Sequence, residues 1–135
     1  MTQLSERNGR LTTHVLDLSQ GKPAAGLSLQ LWRLSTGGPV LLREAVTNED
    51  GRLDAPLLAG EEMQAGSYEL LFMAGDYFRG AQAGAGEPEA EEEGAGAVVS
   101  FLDQIPIRFN MPDPSAHYHV PLLVAPGGYS TYRGS

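Results

Sequence analysis

The chain has 135 residues, 17 acidic against 9 basic side chains for a formal charge of −8, and no cysteine. At 41% hydrophobic it is expected to form one domain over residues 1–135, which excludes a disordered chain and a disulfide-stapled miniprotein. The acidic balance argues against nucleic acid and anionic membranes as partners, and the missing thiol removes zinc ribbons and thiol catalysis.

The opening stretch, Met1 to Arg7, has no apolar signal region, and the longest apolar run, Val120 to Pro126, is far short of the roughly 20 residues that span a bilayer. A cytoplasmic protein is the expectation. In chain order, the predicted strands are Leu11 to Asp17, Leu27 to Leu34, Val40 to Thr47, Ser67 to Ala74, Gln104 to Asn110, His117 to Ala125 and Gly128 to Arg133. Gly- and Pro-rich turns separate them, among them Gln20-Gly21-Lys22-Pro23 and Asn48-Glu49-Asp50-Gly51, as a β-sandwich requires. One short helix is predicted near Asp76 to Ala83, with Asp76 as its N-cap. Residues 84–96 contain five Glu, no base and no large apolar side chain, and read as a mobile acidic loop insertion. Trp32 and Phe72 alternate with polar neighbours and are assigned to the core.

All three histidines fall in predicted strands: His14 in Leu11 to Asp17, and His117 and His119 in the last long strand. Side chains alternate along a strand, so His117 and His119 share one face while Tyr118, Val120, Leu122 and Val124 take the other. The second set reads as core. That leaves the imidazoles on an outer or inter-subunit face, where a near-neutral pKa suits acid/base chemistry and where ordinary surface histidines also occur. His-x-His with a third histidine elsewhere is a weak transition-metal pattern, and no carboxylate stands beside it, so no metal is expected. Arg52 follows the Asp50-Gly51 turn. Its planar fork could grip a carbonyl-rich or anionic ligand, or could simply pair with Glu49, Asp50 or Asp54.

Three segments carry a resemblance. They are Leu11-Thr12-Thr13-His14-Val15-Leu16-Asp17 with Gly21-Lys22-Pro23-Ala24, then Asp50-Gly51-Arg52, and finally His117-Tyr118-His119-Val120-Pro121-Leu122-Leu123 through Tyr132-Arg133-Gly134-Ser135. Together they resemble the 5-hydroxyisourate hydrolases of the transthyretin superfamily, over residues 10–81 and 98–135. The resemblance implies an all-β, transthyretin-like sandwich of seven to eight antiparallel strands with one short helix, assembled as a homotetramer with its sites where dimers meet. It implies hydrolysis of 5-hydroxyisourate to 2-oxo-4-hydroxy-4-carboxy-5-ureidoimidazoline in urate breakdown, without metal or cofactor. The matching catalytic residues are His14, Arg52, His119 and Ser135, the last through its hydroxyl or a terminal carboxylate. Arg52, Tyr132 and His117 match substrate-contacting positions. The competing reading is a transthyretin-like small-molecule (hormone-type) binding protein without catalysis.

Overall fold

The computed structural model describes residues 8–85 and 99–134. Of the acidic loop expected over residues 84–96, Gly84 and Ala85 instead end a helix; residues 86–96, like residues 1–7, 97–98 and Ser135, lie outside the described residues. Among the described residues, nine strands run in chain order: β1 (Arg10–Asp17), β2 (Lys22–Pro23), β3 (Ser28–Ser35), β4 (Gly38–Val46), β5 (Leu58–Ala59), β6 (Gly66–Met73), β7 (Gln104–Met111), β8 (His117–Ala125) and β9 (Gly128–Thr131). Helix α1 (Ala74–Ala85) sits between β6 and β7. A five-stranded sheet has the order β2-β1-β8-β9, with β5 also on β1, and a four-stranded sheet has the order β4-β3-β6-β7. Every pairing is antiparallel except β1 with β8, which is parallel. Among the described residues no helix is long and apolar enough to cross a membrane.

The period of two in the sequence places the core. On β1, Leu11, Thr13, Val15 and Asp17 are buried while Thr12, His14 and Leu16 are half-buried on the outer face. On β8, Tyr118, Val120, Leu122 and Val124 turn inward. They meet Leu29, Leu31, Leu70, Phe72, Ile105 and Ile107 of the other sheet in a single cluster. Each fully buried leucine contributes about 2 kcal/mol by removing apolar surface from water. Asp17 is the charged residue on the inner face of β1. Its carboxylate is satisfied there by the amides of Ser19 and Gln20, the Ser19 hydroxyl, the Gln20 side chain and the Tyr77 hydroxyl of α1, as burial of a charge demands.

Three expectations are corrected. Trp32 is half-buried, not core: alternation along β3 sets it with Gln30 on the face opposite the buried Leu29 and Leu31, and its indole donates to Gln30 Oε1 at 3.0 Å. The helix begins at Ala74, because Gly75 can approach Asp103 closely and donates to its carbonyl at 2.8 Å. Asp76 therefore lies in the first turn, where its charge suits the helix dipole and where it pairs with Arg79. Finally, β9 stops at Thr131, and the backbone meets β8 again at a bridge between Gly134 and His119.

Candidate active site

The parallel register sets Thr12 beside His119 and His14 beside Pro121. His14 and His119 thus stand on the outer face of the five-stranded sheet, on its two central strands, about one residue pair apart along the strand direction. Arg52 joins them from the loop before β5, through an antiparallel bridge to His14. The turn that delivers Arg52 is built by Asn48, whose Oδ1 accepts from the amides of Asp50 and Arg52 at 2.8 and 3.2 Å. Gly51 is required within it. Its φ is +75°, and a Cβ there would lie 2.3 Å from the Val15 carbonyl oxygen, which itself belongs to the β1 backbone.

His14 donates from Nε2 to the carbonyl of Asp50 at 3.0 Å. A carbonyl can only accept, so Nε2 carries the proton and the lone pair of neutral His14 is on Nδ1. His119 Nδ1 meets the Thr12 hydroxyl at 2.8 Å. Burial, followed by the Arg52 charge, holds His14 below the ordinary imidazole value, even though the Asp50 carbonyl opposes this. His119 is lowered by burial, then by Arg52, then by His14. Both rings are therefore neutral, and able to accept a proton, at neutral pH.

A pocket of about 470 Å³ opens over this face, lined by Arg10, Thr12, Arg52, Asp54 and His119 among others. Arg52 is exposed, and among the described residues its guanidinium forms no ion pair. Asp54, one of its expected partners, instead accepts from the Asn48 side chain at 2.9 Å. The pocket thus offers an imidazole acceptor and cationic donors in one place. Among the described residues, no group of three or more His, Cys, Asp or Glu side chains could hold a metal ion.

The other expected site residues are placed elsewhere. His117 shares the outer face but is exposed beside Arg10, and it donates from Nε2 to the Asn8 carbonyl at 3.1 Å. Tyr132 does not reach the His119 pocket within one protomer; it borders a separate hollow of about 270 Å³ with Ile107, Phe109 and Tyr118. Arg133 stacks 4.5 Å over the Tyr118 ring and donates to the His117 carbonyl at 2.9 Å. Ser135 lies outside the described residues. Sequence reasoning missed Thr12, the Asp50 carbonyl and Gly134. An added Cβ on Gly134 would stand 2.6 Å from His119 Cδ2.

Sheets in this order, enclosing one core and carrying the imidazole pair on an outer face, define a transthyretin-fold sandwich. A family model described as the HIUase/Transthyretin family matches residues 11–134, and the chain belongs to that family. A 5-hydroxyisourate hydrolase of Mesorhizobium japonicum is 56% identical over 127 residues, covering 94% of this chain and 93% of the relative. The structure of Klebsiella pneumoniae 5-hydroxyisourate hydrolase is 36% identical, with a TM-score of 0.71 over 94% of this chain and 99% of that one. A crystal structure of (S)-allantoin synthase matches with 44% identity and a TM-score of 0.79, covering 98% of this chain and 46% of that longer one.

Proposed function

We propose that this protein hydrolyses 5-hydroxyisourate, opening its six-membered ring at an acyl–nitrogen bond, in the breakdown of urate. The observation that carries the reading is the meeting at one pocket of neutral His119 and Arg52, which among the described residues forms no ion pair, with neutral His14 bridged to Arg52 beside them, in a chain 56% identical to a protein of that name. His119 is the better placed base, because it lines the pocket while the Nε2 proton of His14 is committed to Asp50.

In this reading a water binds between His119 and the substrate carbonyl. His119 takes its proton as the oxygen attacks, forming a tetrahedral oxyanion. Arg52 donates hydrogen bonds to that oxyanion and to the planar substrate, stabilising charge as it develops. Collapse of the intermediate breaks the C–N bond, and the departing nitrogen takes the proton back from His119. Burial and the charge of Arg52 keep the imidazolium acidic enough to give it up. Ser135 belongs to this reading as a group that closes and polarises the pocket, Tyr132 as one that reaches it only from a neighbouring copy in the assembly, and His117 as an outlying substrate contact. The site faces outward from the sheet, which suits a homotetramer whose dimers meet over it.

The test follows the ultraviolet absorbance of freshly generated 5-hydroxyisourate with and without purified protein. The expected result is decay well above the spontaneous rate. Decay at the spontaneous rate removes the proposal. Light scattering on the same sample checks the assembly.

A further inference from the structure

We infer that Thr12 is a positioning residue that holds His119 in the Nδ1–H tautomer, so that Nε2 is the nitrogen that accepts the proton. This rests on the hydrolase reading for its kinetic consequence, but the tautomer itself can be read without substrate. The ring of His119 is held by both edges. On one edge Nδ1 meets the Thr12 hydroxyl at 2.8 Å. On the other, Cδ2 lies so close to Gly134 that even a methyl group there would approach to 2.6 Å. The backbone is fixed as well, with the Gly134 amide donating to the His119 carbonyl at 2.8 Å. Only the tip of the ring, Cε1 and Nε2, is left free to serve the pocket.

A hydroxyl can donate or accept, so the contact alone does not set the direction. The charges around the ring do. Arg10 and Arg52 line the pocket against one carboxylate, Asp54, which accepts from the Asn48 side chain; the lining is net cationic, and an N–H aimed into it is less favourable than a lone pair aimed there. The proton therefore belongs on Nδ1, donated to Thr12 Oγ1, with the threonine's own proton left to water at this half-buried position. An oriented partner on the second ring nitrogen is the ordinary way in which a protein chooses a histidine tautomer. His14 and His117 are held the opposite way, each donating from Nε2 to a backbone carbonyl.

The chain has three histidines, which makes the test sharp. Long-range proton–nitrogen correlation spectra of ¹⁵N-labelled protein at pH 7.5 should show two Nε2–H imidazoles and one Nδ1–H imidazole. His119→Asn should delete the Nδ1–H pattern. In Thr12→Val, the His119 signals should move to a mixture of tautomers, and kcat should drop roughly tenfold or more with KM nearly unchanged. Thr12→Ser should restore both the spectrum and kcat. An Nε2–H pattern for His119 in the wild type overturns the inference, as does a Thr12→Val protein with unchanged spectrum and kcat. If the wild type fails to accelerate 5-hydroxyisourate decay, the hydrolase reading falls while the spectra still decide the tautomer.

Discussion

Gly134→Ala isolates the clamp on His119 with a single methyl group. The new Cβ would lie 2.6 Å from His119 Cδ2, 3.4 Å from its Cγ and 3.4 Å from Pro121 Cγ. Carbon atoms at rest stand about 3.5–4.0 Å apart, so something must retreat by about 1 Å. The backbones cannot part easily, because the Gly134 amide is bonded to the His119 carbonyl. The ring is the softer element, and when it swings away it leaves the Thr12 hydroxyl. A displacement of about 1 Å in a catalytic group costs on the order of 10²-fold in rate. The fold should suffer little, about 1 kcal/mol, since His119 is half-buried with open space on its pocket side and overpacking is costly only where nothing can yield. Absorbance decay of 5-hydroxyisourate should therefore show kcat reduced about 100-fold. Thermal melting by circular dichroism should shift by only about 3–6 °C. Gly127→Ala is the control, because its Cβ would meet nothing within 4 Å and both readings should match the wild type. Turnover of Gly134→Ala within threefold of wild type would refute the clamp.

His119→Ala should lower turnover by roughly 10² or more, the usual scale for an acid/base group, whereas His117→Ala, whose ring is held at Asn8 away from the pocket, should cost less than tenfold in the same assay. The acid limb of kcat/KM should lie below pH 6.5, since a lowered His119 stays neutral and competent until the pH falls through its depressed value. Arg52→Gln removes one cause of that depression, so it should move this limb to higher pH as well as lowering turnover by about 10²-fold. Asp17→Ala strips the acceptor from the Tyr77 hydroxyl and from the Ser19 and Gln20 amides and should destabilise by about 3 kcal/mol in urea titrations at pH 7. Burial raises the Asp17 carboxyl, but bonds from Ser19, Tyr77 and Gln20 outweigh it and hold the value low. This contribution is complete above the unfolded value near 3.8 and is lost as pH falls through the folded one, so the gap between wild type and Asp17→Ala should close in acid.

What could be read from the sequence followed the range of each interaction. The bounds of β8, His117 to Ala125, are those expected, because an inward Tyr118, Val120, Leu122 and Val124 against outward histidines is a local, period-two signal. The two-residue strands β2 and β5 were not foreseen. Lys22, Pro23, Leu58 and Ala59 carry no pattern of their own and become strand only by pairing with β1. Trp32 misled because its hydrophobicity was set above its place in the alternation, which puts it with Gln30 on the face opposite the buried Leu29 and Leu31. At the site, His14, Arg52 and His119 were legible because imidazole and guanidinium announce their chemistry. Thr12, the Asp50 carbonyl and Gly134 were not. They act through one hydroxyl among many, a main-chain oxygen, and the absence of a side chain, and each acquires meaning only once a distant strand is beside it.

The parallel seam between β1 and β8 also governs when the site can exist. Thr12 and His119 are separated by 107 positions in the chain, and every bond across the seam closes a loop of that order. Loops of this size form late, because their closure entropy must be met before any contact rewards it. During synthesis at about 5–20 residues per second, β1 therefore waits several seconds or more with its inner leucine and valine unsheltered and one edge unpaired. A half-made chain holds His14 and Arg52 but no His119, so it cannot turn over substrate. It does present a sticky strand, which makes the interval before β8 emerges the period of greatest exposure to misassociation.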